Sequence, residues 1–335
     1  MFRYFSTPKK RLHLFLSVNG FGGHHTGVLP LCNEIERVGS QQDQVTVQSE
    51  TSKVNNRARS FYGIDVSGNR LKNEVKKIIG DKQDFDISFL GHSMGGLVVR
   101  YAIWALSQEG WFEKHNAKPK NFVTICTPHL GTTQYSKVFL FNFVFNNLVQ
   151  HLNKTSSQFM VKDDQKLLLR MSQPDFVKTL EQFPNRVLFG NSRFDWRVPF
   201  YSSLMIPKNQ ELIQFLKKEK YDEKKPVIKP FNLKQDMLDN KSKNKNKNKN
   251  KNENEDDIGY EFIKEWFPKD TSQEKMLKQM VINLNSITWN RYAILPPQGG
   301  FWYKFNLHNS QMRDEWYWEN ISEQYVKSFV TKIQF

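Results

Sequence analysis

Ser93 sits in Gly91-His92-Ser93-Met94-Gly95, between the apolar run Phe85–Leu90 and the stretch Met94–Leu106, whose apolar residues recur at helical spacing. A serine hydroxyl is a weak nucleophile until a turn projects it and a base takes its proton. Glycines two residues to either side supply such a turn. A strand that feeds directly into a helix needs small neighbours for close approach, and it forces unusual backbone angles on the central residue. The hydroxyl then projects from the carboxyl edge of a sheet, above a helix amino terminus whose dipole favours a developing oxyanion.

Acyl chemistry at Ser93 needs two amide donors for the tetrahedral oxyanion. The residue after the nucleophile, Met94, gives one. The loop after the first strand, Asn19-Gly20-Phe21-Gly22-Gly23, gives the other through the Phe21 N–H. No Lys-Ser/Thr follows this loop, so it is not a P-loop. Gly20, Gly22, His92, His129 and Leu130 are the candidate substrate-binding positions, with His92 also a packing residue at the turn and His129 following the strand that ends at Ile125.

A base and an orienting carboxylate should follow in the chain order serine, acid, histidine. Of eight histidines, His308 in FWYKFNLHNS stands in the last strand-to-helix connection and is the expected base. Asp195 in RVLFGNSRFDWRVP, in a loop after a strand, is the expected acid; Asp163 and Asp164 are the alternatives, with helix capping as their structural reading. His151 falls in a Phe-rich helix, and His24 and His25 begin the helix after the glycine loop. No metal site is read from them.

These residues need a scaffold, and the chain alternates strand and helix signals, the pattern of a parallel sheet covered on both faces. Strands are expected at 12–18, 44–48, 85–90, 121–125, 186–189 and 288–295. Helices are expected at 26–38, 67–79, 94–107, 174–182, 272–284 and 322–333. The fold class is α/β. The core spans residues 1–216 and closes with 272–335, around a basic low-complexity insert at 217–271. From Lys217 to Asn252 there are 13 Lys against 5 Asp/Glu, the largest concentration within a formal net charge of +15. The Lys/Asn alternation after residue 240 is too polar to bury surface and is expected to stay disordered. It reads as a solvated insert, or as a tether to an anionic membrane or lipid-droplet surface. It lacks interleaved aromatic residues, so no nucleic-acid partner is expected. Two cysteines, Cys32 and Cys126, exclude a disulfide framework or zinc ribbon and suit a reducing compartment. With no uninterrupted apolar run of membrane-spanning length, the expected location is the cytoplasm, with peripheral lipid contact.

NGFGG, GHSMGG, NFVTICTPHLGT (121–132), QFMVKDDQKLLLRM (158–171), FPNRVLFGNSRFDWRVPFYSS (183–203) and LHNS around His308 together resemble the eukaryotic serine esterase family of lipase-like α/β-hydrolases. The resemblance covers about three quarters of the chain, on both sides of the insert. It implies an α/β-hydrolase fold with Ser93, Asp195 and His308 as the triad, hydrolysis of lipid acyl esters such as glycerolipids or phospholipids, and no cofactor. Where similar members carry His-Gly, this chain has Asn19-Gly20; Asn can still hydrogen-bond to hold the loop. A lid is expected over about 133–172. Within it, Asn142, Asn146 and Gln150 form a narrow polar stripe on an otherwise apolar helix, which either packs into the core or leans on lipid. Thioester removal from lipidated proteins and a catalytically silent lipid- or partner-binding role are the alternative functions.

Overall fold

The computed structural model describes residues 10–132, 153–193, 195, 197–207, 212, 216, 219, 226–233, 271–297 and 319–335. Seven strands form one sheet: β1 (Arg11–Val18), β2 (Val45–Thr51), β3 (Asp86–His92), β4 (Lys118–Ile125), β5 (Asn185–Asn191), β6 (Val227–Pro230) and β7 (Asn290–Leu295). Their order is β2-β1-β3-β4-β5-β7-β6, parallel throughout except for β6, which runs antiparallel to β7 at the edge. From β1 the chain moves outward to β2 and then crosses back to β3 on the other side of β1. The direction of winding therefore reverses between β1 and β3, and such a reversal opens a crevice at the carboxyl ends of the strands.

Both faces of the sheet are covered, which is why β1 and β3 read as nearly continuous apolar runs rather than as alternations. Period-two geometry divides their side chains between two cores. Leu14, Leu16, Ile87, Phe89 and Phe122 pack beneath α2 (Ile64–Ile79), α3 (Met94–Gln108) and α4 (Pro174–Glu181), and α5 (Thr271–Leu284) joins this layer. Phe15, Leu90, Val123, Val187 and Phe189 pack beneath α1 (Leu29–Gly39) and α6 (Glu319–Val330). Buried positions in α2 fall at Ile64, Gly68, Leu71, Val75 and Ile79, the three-and-four spacing of a helix with one apolar stripe. This is the α/β-hydrolase arrangement expected from the sequence. The short β6 lies within residues 217–271, where Val227 and Ile228 are the apolar pair that pairs with Leu295 and Ile294.

The amino-terminal half of the sheet is crossed by a buried polar ladder. Asn121 donates to Ser88 Oγ through both its backbone N–H (3.1 Å) and Nδ2 (2.7 Å), and Asn185 Nδ2 donates to Asn121 Oδ1 at 2.7 Å. Asn121 also ties down the chain's last turn, donating to Gln334 O and accepting from Gln334 N–H. Because Asn121 uses both lone pairs of Ser88 Oγ, the Ser88 hydroxyl must donate to His13 Nε2, 2.8 Å away. His13 is therefore a neutral ring with its proton on Nδ1. Burial lowers its pKa from 6.5 to about 4. His129, also fully buried, is pushed well below 6.5 by the same cause and by Arg100.

The sign of the consequence is fixed. Below pH 6.5 the unfolded chain binds a proton at His13 that the folded chain refuses until about pH 4, so stability falls as pH is lowered through that window. His13 alone is expected to remove on the order of 2–3 kcal/mol between those limits, from 1.36 kcal/mol per pKa unit. Urea denaturation at pH 7 and pH 5 measures it, and a His13→Gln variant should show a flatter pH dependence than the parent.

Candidate active site

Ser93 occupies the single residue between β3 and α3, at φ 54° and ψ −128°. An L-residue reaches positive φ only when its surroundings hold it there, at a cost of about 1–3 kcal/mol. Here three backbone segments do so. The Ser93 N–H donates to Ile125 O at the end of β4 (2.8 Å). A Cβ at Gly95 would lie 2.2 Å from Val18 O, so the first turn of α3 rests directly on the end of β1. A Cβ at Gly20 would lie 2.8 Å from Ser93 Cβ and 3.2 Å from its Oγ, so the loop after β1 passes against the serine side chain with no atom to spare. Ser93 is half-buried, and the flanking His92 and Met94 are buried.

The loop after β1 is held by its own bonds. Asn19 is buried, and its Nδ2 donates to Gly20 O at 3.2 Å. The Gly22 N–H donates to Ser60 Oγ (2.8 Å) and the Gly23 N–H to Gly20 O (3.2 Å), while the Arg57 N–H donates to Gly23 O (2.7 Å). The Phe21 ring packs between Phe61 and Phe159, at centroid distances of 4.7 and 5.7 Å. At the other end of this wall Met94 is the first helical residue of α3, where a backbone N–H has no intrahelical acceptor.

Asp195 is buried, in the loop that leaves β5 at the same sheet edge. Its Oδ1 accepts from the Arg197 and Val198 N–H groups at 3.0 and 2.9 Å, and its Oδ2 accepts from Asn191 Nδ2 at 2.9 Å. These donors fix the carboxylate plane. The strand β4 alone separates β3 from β5, so two strand spacings, roughly 9–10 Å, divide the Ser93 and Asp195 loops, a gap that an imidazole ring bridges. The Ser192 N–H and Oγ both donate to Ile294 O at 2.9 Å, joining the Asp195 loop to the end of β7. His308 lies outside the described residues, in the stretch of chain between β7 and α6.

The remaining candidates fall in different places. His129 is fully buried. Arg100 has only donors, so its Nη1 must donate to His129 Nδ1 (3.2 Å), leaving the His129 Nε2 proton to face Thr124 Oγ1 at 2.9 Å. Arg100 is itself fully buried. Desolvation lowers its pKa to about 9, and its Nη2 donates to Met171 O at 2.9 Å. Leu130 is buried, and its N–H donates to Ser202 Oγ. Asp163 Oδ2 accepts from the Leu167 N–H at 2.9 Å. Of the expected lid, 133–152, including His151 and the polar stripe, lies outside the described residues. Thr155, Gln158, Leu168 and Met171 are buried in the body of the fold. A cleft of about 420 Å³ between Phe231, Asn285, Trp289 and Arg291 opens at the amino end of β7, the opposite end of the sheet from Ser93.

Asn191, Ser60 and Arg100 were not legible as site residues. Asn191 precedes Asp195 by four positions and could have been paired with it only by assuming a tight loop. Ser60 and Arg100 reach their partners across 38 and 29 residues of chain.

Residues 8–209 match the family model described as "Putative serine esterase (DUF676)". Two yeast proteins from Saccharomyces cerevisiae are similar. "Putative lipase ROG1" is 28% identical over 233 residues, covering 67% of this chain and 33% of that protein, and "Putative lipase YDL109C" is 29% identical over 155 residues, covering 45% and 24%. The chain thus spans about a third or less of the length of these curated relatives. Among solved structures, the "putative cell surface hydrolase from Lactobacillus plantarum WCFS1" aligns over 58% of this chain and 75% of its own, with a TM-score of 0.36 and 14% identity.

The strain at Ser93 gives a test independent of activity. Ser93→Gly is expected to be more stable than Ser93→Ala by roughly 1 kcal/mol, since glycine accepts the positive φ without penalty. Gly20→Ala, which drives a methyl group into Ser93, should cost about 1–3 kcal/mol. Denaturation midpoints of the three variants check both.

Proposed function

The chain belongs to the serine esterase family that residues 8–209 match, and from that premise we propose that it hydrolyses acyl esters of lipids with Ser93 as nucleophile, His308 as base and Asp195 as the group that orients the base. The observation that carries the reading is the backbone of Ser93, held at φ 54° on a strand-to-helix turn against the Gly20 loop. With ψ at −128° the pair lies outside the left-handed helical region that Lys166, also at positive φ, occupies, and it persists here because three segments impose it.

In this mechanism His308 takes the proton of Ser93 as Oγ attacks the ester carbonyl. The oxyanion is received by the Met94 N–H, at the positive end of α3, and by the Phe21 N–H; the neighbouring Gly22 and Gly23 amides are already committed to Ser60 and Gly20. Collapse of the tetrahedral intermediate expels the alcohol, which leaves with the proton from His308, and the acyl group stays on Ser93. Water, deprotonated by His308, then attacks the acyl-enzyme and frees the acid. Asp195, with three of its acceptor positions filled by Asn191, Arg197 and Val198, has a fixed plane from which to hold the imidazole in one tautomer and to stabilise its protonated form. Lipid esters are the substrate class because the matched relatives are named lipases and because Phe21, Phe61 and Phe159 make the wall beside the nucleophile apolar.

Hydrolysis of p-nitrophenyl butyrate and laurate tests the roles. Ser93→Ala and His308→Ala are each expected to lose about 10⁴-fold or more in kcat, and Asp195→Asn about 10⁴-fold with little change in KM. Asn191→Ala should lose about tenfold, the value of one hydrogen bond to a charged group. Wild-type rates retained by Ser93→Ala would reject the assignment.

A further inference from the structure

Among the described residues, the edge of the sheet that carries Ser93 also carries three of the four exposed large apolar side chains. Four large apolar residues are exposed among the described residues: Leu29, Phe61, Tyr62 and Ile282. Leu29 follows the loop after β1, and Phe61 and Tyr62 end the 3₁₀ turn Arg57–Tyr62 in the connection after β2. Tyr62 is 60% exposed. In the same connection Lys53, Arg57 and Arg59 are exposed, and residues 51–64 contain no acid. The neighbouring carboxylates are each engaged by other groups, Glu50 by Gln48 Nε2 at 3.0 Å. Asp65 is ion-paired to Lys154 at 2.6 Å, and Glu74 accepts from Ser52 Oγ and the Lys53 N–H. Among the described residues no acid pairs with Lys53, Arg57 or Arg59.

The turn is rigid beneath this surface. Ser60, its inward residue, donates to Arg57 O and accepts from the Gly22 N–H. Thr155 Oγ1 donates to Ser60 O and accepts from the Gly63 N–H. Arg70 donates to Arg59 O at 2.7 Å and stacks its guanidinium 5.1 Å from the centre of the Tyr62 ring. Presenting aromatic side chains on a turn already ordered in this way adds little entropic cost on binding.

We propose that the turn Arg57–Tyr62 is a docking element for an anionic membrane surface, with Phe61 and Tyr62 at head-group depth and Lys53, Arg57 and Arg59 against lipid phosphates and carboxylates. Charge complementarity and the amphipathic aromatic residues point to a lipid interface: exposed cations without an acidic partner share one connection with an exposed tyrosine, the combination that binds at the head-group boundary. Through Gly22–Ser60, Arg57–Gly23 and the Phe21–Phe61 contact, the turn is bonded to the loop that faces Ser93, so docking there brings the site's mouth to the bilayer. The purpose of the docking rests on the esterase reading; the docking itself does not.

Sedimentation of the full chain with phosphatidylcholine vesicles, with and without phosphatidylserine, tests it, beside hydrolysis of a monomeric short-chain ester. Wild type should bind the phosphatidylserine vesicles, more weakly as salt is raised. Lys53→Gln and Arg59→Gln should each weaken binding about fivefold, and Tyr62→Ala several-fold, while hydrolysis of the monomeric ester stays within about twofold of wild type. Absence of binding by wild type, or binding by all three variants equal to that of wild type, overturns the proposal, the second outcome assigning binding to another part of the chain. If instead the esterase reading fails, wild type hydrolyses nothing yet still shows vesicle binding that depends on Tyr62.

Discussion

Three backbone segments converge on Ser93, and the close approach among them is the constraint on which the rest of this structure depends. Val18 O lies where a side chain on Gly95 would be, Gly20 lies against the Ser93 side chain, and Ile125 O holds the Ser93 N–H. Any one of them displaced by an ångström would let Ser93 relax toward an ordinary turn. What prevents this is the pair of cores on the two faces of the sheet. Val18, Met94 and Leu97 are in one and Leu90 and Ile125 in the other, all essentially inaccessible to water. The strain at one residue is small beside burial on this scale, since a single large apolar side chain contributes about 1.5–3 kcal/mol.

Polar groups are handled differently at the two ends of the sheet. At the amino ends, His13, Ser88, Asn121 and Asn185 hydrogen-bond to one another and to the last residues of the chain, a buried network in which protonation of His13 is disfavoured. At the carboxyl ends, polar side chains fix the directions of others: Asn191 and two amides hold Asp195, Ser60 holds Gly22, and Arg100 and Thr124 hold His129. Arg100 is the most costly of these, a buried guanidinium whose Nε has no hydrogen-bond partner. It joins α3 to the TPHLG loop and to Met171, so the helix that begins at Ser93 is tied to the segments flanking residues 133–152.

Much of this was legible in the sequence because its signals are local. The apolar run Phe85–Leu90, the glycines at 91 and 95 and the helical spacing after Met94 sit within 22 residues, and the structure places β3, the turn and α3 there. Strand and helix boundaries elsewhere agree to within a few residues for the same reason, since period two and period three-to-four are read over short windows. Long-range pairings were not legible. The short β6 carries two apolar residues in a lysine-rich stretch, and its strand character comes from pairing with β7 some 60 residues later. The surface formed by Phe61, Tyr62, Arg59 and Arg70 has no sequence signature, because its members are brought together by the turn and by α2 packing behind it.

The central claim is that the strain at Ser93 serves a nucleophile. The most direct measurement is to treat the protein with a fluorophosphonate, digest it, and locate the adduct by mass spectrometry. The account predicts a single phosphonyl group on Ser93, abolished in Asp195→Asn and His308→Ala proteins that remain folded by circular dichroism. An unmodified Ser93 in folded wild-type protein, or an adduct on another serine, would contradict it.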